Sequence, residues 1–265
     1  IVAKKLGHSL SPYIHNYWSK EYNKNLKYKK FELPEKNLNK FFQSFKKNRK
    51  FIGFNVTIPY KTNFITLCDR VTPKAKKIGS VNLVYKRNNL TVGDNTDVIG
   101  FEKSFNLLKN IPSKKILLIG AGGAARSILY YLNKKNIGNI DVFATSLKRK
   151  ADICNDFSVK KFVTKTKLLK SKYDLIINSS SGGMIGSSSL NRNILKLADS
   201  AQGIIDIVYN PEMTPLLCRA KKNNIAFVGG LTMLVEQAKP SFEKWCNTKI
   251  KIDDNVYNMA RDNLK

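Results

Sequence analysis

Acidic residues are scarce in this chain. Its 265 residues include 19 Asp+Glu against 47 Lys+Arg, which gives a formal net charge of +28. Such an excess is typical of nucleic-acid binders, because neutralised phosphates drive non-specific affinity. The lysines, however, are spread along the whole length, and the clusters are as short as Lys46-Lys47 and Lys148-Arg149-Lys150. We therefore expect no nucleic-acid partner, and a basic surface that attracts an anionic small molecule.

Long apolar runs and closely spaced cysteines are also missing. No run approaches the roughly 20 apolar residues that a membrane span needs, so we expect no membrane segment. No signal peptide is visible either. The four cysteines (Cys68, Cys154, Cys218 and Cys246) are too widely spaced for a zinc site and form no dense disulfide framework. We expect a reducing cytoplasmic location and no metal site.

Short apolar runs and helical patterns alternate along the chain, which is long enough for two domains. In the first block, strands are predicted over residues 27–33, 51–56, 80–85 and 90–93. Helices are predicted between the earlier strands, and a turn at Asn88-Asn89 joins the last two. In the second, strands are predicted over 116–119, 140–143, 174–178, 203–208 and 226–228. Strands that alternate with helices predict an α/β fold with a doubly wound parallel sheet. From residue 230 the pattern is helical.

A polar motif follows the strand predicted over 51–56. Asn55 and Thr57 are two residues apart, so their side chains point to the same face of an extended chain. Pro59 is predicted to open a helix at its first position. Lys61 would then lie in the first turn, where the helix dipole disfavours an ammonium group. It is a candidate proton donor or acceptor if a carboxylate such as Asp97 lies opposite. The alternative is a surface lysine on a short helix.

A glycine motif joins the strand predicted over 116–119 to a helix. Gly120, Gly122 and Ala125 fit the pattern G-x-G-x-x-G/A in the position that its mechanism demands. The first glycine permits a tight turn, and the second lets the backbone approach a pyrophosphate. The helix N-terminus supplies amide donors to the phosphates. The motif predicts a dinucleotide site.

The end of the next strand indicates which dinucleotide binds. An acid there would bind the ribose 2′-hydroxyl, whereas cations accommodate a 2′-phosphate. Asp141 lies at the start of its strand and should point away from the ribose. Thr145 and Ser146 are followed by Lys148 and Arg149, and hydroxyls followed by cations suit a phosphate. NADP is therefore favoured, the alternative being that these cations only face water.

Taken together, these motifs make the chain resemble the shikimate dehydrogenase family along nearly its whole length. The matching segments are, in order, residues 7–12, 55–61, 81–82, 93–97, 120–126, 174–178, 209–216 and 230–237. The resemblance implies an N-terminal α/β substrate domain and a Rossmann-like NADP domain with a doubly wound parallel sheet. The C-terminal helices would pack back on the substrate domain, giving boundaries of 1–97 with 237–265 and 98–236. The implied reaction is reversible reduction of 3-dehydroshikimate by NADPH.

The resemblance also implies the roles of individual residues. Lys61 and Asp97 match the family's acid/base pair, and Ser9 and Ser11 match the serines that hold the substrate carboxylate. A competing interpretation gives Ser11 only the capping of a helix whose first residue is Pro12. The implied substrate-binding residues are Ser9, Ser11, Asn55, Thr57, Lys61, Asn82, Asp97, Tyr209 and Gln237. The implied cofactor-binding residues are Gly120, Ala121, Gly122, Gly123, Ala124, Ala144, Thr145, Ser146, Lys148, Arg149, Ile207 and Gly230.

The chain departs from the family pattern at three places, and three alternatives stay open. Thr145 stands where the family has arginine, so the preference for NADP is either weaker than is usual in the family or rests on Lys148 and Arg149. Val98 replaces the glycine that commonly follows the motif's aspartate, and residues 178–184 replace a commoner Asn-Ala-Thr-Pro form. The alternatives are a sister enzyme that uses quinate or another cyclohexene acid, with NAD, a folate-linked dehydrogenase, and a basic nucleic-acid-binding module on a dinucleotide fold. A monomer and a homodimer are both compatible with the sequence.

Overall fold

The structure is a computed structural model that describes residues 1–7, 9–145, 147–165 and 172–264. The predicted cofactor residue Ser146 lies outside these ranges. The chain forms two compact units, one from Ile1–Asp97 and Val235–Asn263, the other from Val98–Leu234. Within the described ranges, every helix is too short or too polar to cross a membrane.

The first unit contains a four-stranded sheet and a separate pair of two-residue strands. The strands are β1 (Val2–Ala3), β2 (Phe31–Glu32), β3 (Gly53–Asn55), β4 (Arg70–Val71), β5 (Leu83–Arg87) and β6 (Leu90–Asp94). The sheet order is β3-β5-β6-β4, while β1 pairs with β2. The predicted turn between β5 and β6 is confirmed: Asn88 and Asn89 have φ values of 50° and 62°. Two consecutive left-handed residues match the right-handed twist of the flanking antiparallel strands.

The helices of the first unit pack around these strands. They are α1 (Ser11–Glu21), α2 (Leu38–Lys47), α3 (Phe64–Leu67), α4 (Pro73–Ile78), α11 (Asp254–Asp262) and most of α10 (Gly230–Cys246). The core between sheet and helices is aromatic, with Phe42, Phe45, Phe54 and Phe64 buried together. These rings meet in edge and tilted geometries that stabilise aromatic clusters.

The return of the C-terminal helices to the first unit is confirmed. The indole Nε1 of Trp245, at the end of α10, donates a hydrogen bond to the Val84 carbonyl at 3.1 Å. Trp245 reaches this strand because Gly53 lacks a side chain: a Cβ there would lie 2.0 Å from the same indole nitrogen. A larger residue at position 53 would therefore collide with the Trp245 side chain and the Val84 carbonyl.

The second unit is a doubly wound parallel sheet, as predicted. Its strands are β7 (Ile116–Ile119), β8 (Ile140–Phe143), β9 (Lys161–Val163), β10 (Leu175–Asn178), β11 (Gly203–Asp206) and β12 (Ala226–Val228). The order is β12-β11-β10-β7-β8-β9, with every pair parallel. Its helices are α5 (Asp97–Leu107), whose first residue belongs to the first unit, α6 (Gly123–Lys134), α7 (Lys150–Asp156), α8 (Arg192–Ala198) and α9 (Pro215–Lys222). The central strands are apolar and buried, as strands covered on both faces must be.

Several predicted boundaries were wrong. Pro59 does not occupy the first position of a helix, because the Tyr60 amide bonds back to the Thr57 carbonyl and closes a turn around Pro59. A 3-10 turn over Tyr60–Thr62 follows. The strand predicted over 27–33 is limited to Phe31–Glu32, and the one over 51–56 to Gly53–Asn55. β11 ends at Asp206 rather than at residue 208, because the Asp206 carboxylate accepts the Val208 amide and turns the chain.

Candidate active site

Lys61 and Asp97 meet in the first unit, as the motifs predicted. Lys61 lies in the 3-10 turn, whose position is fixed by a hydrogen bond from the Val81 amide to the Lys61 carbonyl. Asp97 is the first residue of α5, where the helix dipole favours a carboxylate. The distance from Lys61 Nζ to Asp97 Oδ2 is 2.5 Å, and the side chains are 13% and 6% exposed. The alternative of a surface lysine is therefore wrong.

Asn82 fixes the other oxygen of Asp97. Its amide nitrogen donates to Asp97 Oδ1 at 2.7 Å and to Gln237 Oε1 at 3.2 Å, while its carbonyl oxygen accepts the Thr96 amide at 2.7 Å. Gln237 arrives from α10, far along the sequence. Asn82, Gln237, Lys61 and Asp97 thus form one polar cluster. Sequence reasoning missed Thr96, although it stands inside the motif that supplies Asp97.

Asn55 lies beside this cluster but is 5% exposed. Its amide nitrogen donates to the Asn82 carbonyl and to Ser241 Oγ, both at 3.0 Å. Its carbonyl oxygen accepts the Tyr28 hydroxyl at 2.7 Å. Through these hydrogen bonds the Asn55 side chain links three parts of the first unit: β3, α10, and the segment that precedes β5. Its contact with a substrate stays a prediction, as does that of Thr57, which is half-buried.

Ser9 and Ser11 offer hydroxyls that are not used for capping. Ser9 is 7% exposed, and its Oγ has no hydrogen-bond partner in the described parts of the chain. Ser11 is the first residue of α1, Leu10 is the N-cap, and the cap carries no side-chain hydrogen bond. The interpretation that Ser11 serves only as a cap is therefore wrong. Because a buried hydroxyl without a partner is costly, an anionic acceptor beside Ser9 would be stabilising.

The glycine loop of the second unit has the geometry of a phosphate site. Gly120 has φ of 107°, and a Cβ there would lie 2.7 Å from Ser179 Oγ, so glycine is required. Gly122 is the N-cap of the 12-residue helix α6, whose first amides face outward along the dipole. A Cβ on Gly122 would meet, among the described atoms, Arg149 Nη1 at 3.3 Å. Arg149 also donates to the Ala121 carbonyl at 3.3 Å. The open loop under a guanidinium fits a dinucleotide phosphate.

Recognition of a 2′-phosphate by the residues after β8 stays a prediction. Ala144 is half-buried, whereas Thr145 and Lys148 are exposed beside the loop's arginine. Asp141 is buried near the start of β8, and its carboxylate accepts the Tyr173 hydroxyl at 2.8 Å. The Asp141 carboxylate is therefore engaged by Tyr173, which precedes β10.

The remaining predicted residues of this unit lie at the carboxyl ends of β11 and β12, where open α/β sheets bind ligands. Ile207 and Tyr209 follow β11 and are half-buried. Gly230 donates its amide to the Val208 carbonyl at 3.2 Å, and a Cβ on it would lie 2.2 Å from the Ile207 carbonyl. Sequence reasoning missed Asp206, the buried acid at the end of β11; the signal was a charged residue closing an apolar strand.

The fold and the loop define the second unit as a Rossmann-like dinucleotide-binding domain. The family model for the shikimate dehydrogenase substrate binding domain matches residues 1–84, and the model for shikimate / quinate 5-dehydrogenase matches residues 102–228. The chain belongs to the shikimate dehydrogenase family.

Relatives and solved structures agree with this assignment. A shikimate dehydrogenase (NADP(+)) from Clostridium beijerinckii is 34% identical over 271 residues, which cover 100% of this chain and 98% of the relative. The crystal structure of shikimate dehydrogenase 1 from Peptoclostridium difficile has a TM-score of 0.87 at 31% identity, covering 100% and 98% of the two chains. A Thermus thermophilus shikimate 5-dehydrogenase, solved with NADP(H) and shikimate, has a TM-score of 0.84 at 26% identity, with coverage of 99% and 98%.

Proposed function

We propose that this protein catalyses the reversible NADPH-dependent reduction of 3-dehydroshikimate to shikimate. The observation that carries the proposal is the buried pair of Lys61 and Asp97, with Asn82 and Gln237 around it. An ammonium and a carboxylate in contact form an acid/base pair that can serve a ring carbonyl. The choice of substrate and cofactor is supported by the relatives, which include a shikimate dehydrogenase (NADP(+)) and a structure solved with NADP(H) and shikimate.

The proton and the hydride have separate sources in this proposal. The reduction requires a hydride at the carbonyl carbon, which NADPH supplies when bound. Lys61 Nζ donates a proton to the carbonyl oxygen, which becomes the hydroxyl of the product. Asp97 accepts a hydrogen bond from that hydroxyl and orients the lysine. In the reverse direction the neutral amine of Lys61 takes the proton back.

The other residues bind and orient the two ligands. Ser9 and Ser11 donate hydrogen bonds to the substrate carboxylate, and the neighbouring polar groups contact the ring hydroxyls. We assign the latter contacts to Asn55, Thr57, Asn82, Tyr209 and Gln237. The cofactor lies on Gly120, Ala121, Gly122, Gly123 and Ala124, with further contacts from Ala144, Thr145, Ser146, Lys148, Arg149, Ile207 and Gly230. Lys148 and Arg149 select NADP by pairing with its 2′-phosphate.

The wider setting is proposed on the same grounds. Residues 1–97 and 237–265 form the substrate domain, and residues 98–236 form the NADP domain. We propose a monomer or homodimer without a nucleic-acid partner. Because Cys68, Cys154, Cys218 and Cys246 all carry free thiols, we propose a cytoplasmic location.

The deciding experiment measures NADPH consumption with 3-dehydroshikimate, compared with NADH and with 3-dehydroquinate. We expect the fastest turnover with NADPH and 3-dehydroshikimate. The matching family model covers quinate as well as shikimate enzymes, so a quinate dehydrogenase that uses NAD is the second candidate. Preference for 3-dehydroquinate with NADH would favour that candidate. Salt-dependent retention on DNA with no NADPH oxidation would favour a nucleic-acid-binding module instead.

A further inference from the structure

Asp206 is a buried carboxylate with no part in the proton transfer proposed above. It is the last residue of β11, and its exposed fraction is 0%. Asn178 Nδ2 and the Val208 amide donate to its Oδ1 at 2.9 and 3.1 Å, and the Thr214 hydroxyl donates to its Oδ2 at 2.7 Å. All the hydrogen-bond donors to it that the structure describes are uncharged. The Asp206 carboxylate is therefore hydrogen-bonded to three separate segments of the chain.

The first of these segments is the loop after β10. Asn178 stands opposite Asp206 in the parallel register of β10 and β11. Because its amide nitrogen points at Asp206, its carbonyl oxygen faces the loop and accepts both the amide and the hydroxyl of Ser180, at 3.1 and 2.7 Å. The same amide nitrogen also donates to the Gly182 carbonyl at 3.0 Å. Asp206 thus sets the orientation of the side chain that shapes this loop.

The other two segments lie on either side of Tyr209. Val208 donates its amide to Asp206 and accepts the Gly230 amide on its carbonyl. Thr214 donates its hydroxyl to Asp206, while its oxygen accepts the Leu217 amide and so caps α9. The stretch that carries Tyr209 is therefore anchored to one carboxylate at both ends.

We infer that Asp206 is a positioning residue for the reaction: it holds Ile207, Tyr209 and Gly230 in the arrangement that receives the cofactor and the substrate. The inference rests on the proposed function. Asparagine has the same shape but replaces one acceptor oxygen with a donor, so it cannot accept all three hydrogen bonds in their present directions. Burial raises the pKa of Asp206 to about 6 against the lowering effect of its hydrogen bonds, so the carboxylate is ionised at pH 7.5.

The test compares Asp206→Asn with Asp141→Asn. Asp141 is the matched control, since it is a buried carboxylate of the same sheet that accepts the Tyr173 hydroxyl and has no proposed ligand. Two properties are measured: hydrogen exchange of the amides of residues 178–185 and 207–214 in the free protein, and the kcat and KM for NADPH at pH 7.5. We expect Asp206→Asn to accelerate exchange in both segments and to lower kcat/KM for NADPH about 10- to 100-fold. Asp141→Asn should leave both properties near their wild-type values.

Each readout can overturn the inference. Unchanged exchange in Asp206→Asn would show that the carboxylate does not hold the segments, and unchanged kcat and KM would show that holding them does not matter for the reaction. Equal changes of exchange and of kcat/KM in Asp141→Asn would show that the effect of Asp206→Asn is a general destabilisation of the sheet. If the wild-type protein does not oxidise NADPH with 3-dehydroshikimate, the proposed function fails separately, and the dissociation constant for NADPH replaces KM in the comparison.

A second pair of variants covers the case in which Asp206→Asn does not fold. Thr214→Val removes the hydroxyl donor to Asp206, whereas Thr214→Ser keeps it. We expect Thr214→Val to raise the KM for NADPH several-fold and Thr214→Ser to restore the wild-type value. Thr214→Val also removes the α9 cap, so Asn191→Ala, which removes the cap of α8 in the same unit, is the control. An equal KM for the Val and Ser variants would contradict the inference.

Discussion

Asp97 of the first unit and Asp206 of the second are both buried among polar groups, but their surroundings differ. Asp97 of the first unit contacts the ammonium of Lys61 and the amide of Asn82. Asp206 of the second unit accepts hydrogen bonds from uncharged groups of three segments. A carboxylate beside a proton-bearing cation is suited to chemistry, whereas one among fixed neutral donors is suited to holding backbone in place. We therefore propose a chemical task for Asp97 and a structural task for Asp206.

The largest effect on turnover is expected from Lys61→Ala, which removes the cation that contacts Asp97. Positioned proton transfer contributes about 100- to 10,000-fold, so turnover should fall by that factor while NADPH affinity stays nearly constant. Steady-state kinetics and NADPH titration measure both quantities. Lys46→Ala is the matched control, because Lys46 pairs with Asp69 at the same 2.5 Å but at a more exposed position. Wild-type turnover in Lys61→Ala, or an equal loss in the control, would remove Lys61 from the chemistry.

The next effect is expected from Ser9→Ala, which removes the buried hydroxyl without a partner. If that hydroxyl donates to the substrate carboxylate, its loss should cost about 1–3 kcal/mol and raise the KM for 3-dehydroshikimate. Ser80→Ala is the control, since Ser80 Oγ is also buried without a partner in the described residues and has no proposed ligand. An unchanged KM for Ser9→Ala would count against the carboxylate site.

A smaller effect is expected from Arg149→Ala in the second unit. Arg149 is exposed beside the glycine loop, so its removal should raise the KM for NADPH by about tenfold and that for NADH much less. Lys134→Ala, which removes an exposed cation from the end of α6, should change neither value. Equal losses with both cofactors would show that Arg149 does not recognise the 2′-phosphate.

The smallest effect is expected on stability, namely on the pH dependence of the free energy of unfolding that Asp206 contributes. The pKa of Asp206 is about 6 in the folded protein, against the ordinary value of 3.8, because burial disfavours the charged form. Between these values the folded state binds more protons than the unfolded state, so raising the pH favours unfolding. We expect the free energy of unfolding of wild type, minus that of Asp206→Asn, to fall from pH 4 to pH 6 and to level off above. Denaturant titrations at several pH values measure it, and a difference that grows over this range would contradict the assignment.

Local sequence patterns predicted many of the strands and the glycine loop, but not the contacts between residues far apart in the sequence. The glycine loop and the strands β7, β8 and β12 were located from the sequence because their signals are contiguous. β4 was missed because two residues give no alternating pattern. The contact between Asn82 and Gln237 joins residues 155 positions apart, and the gathering of donors around Asp206 depends on the register of neighbouring strands. The motifs indicated Lys61 and Asp97, but the side chains that orient them are known from the fold.

The most direct test of the central claim is a crystal structure of the protein with shikimate and NADP. We expect one ring hydroxyl of shikimate to lie within hydrogen-bonding distance, about 2.6–3.2 Å, of both Lys61 Nζ and the Asp97 carboxylate. A complex in which the reacting hydroxyl lies beyond the reach of both groups, in an enzyme that still turns over, would contradict it.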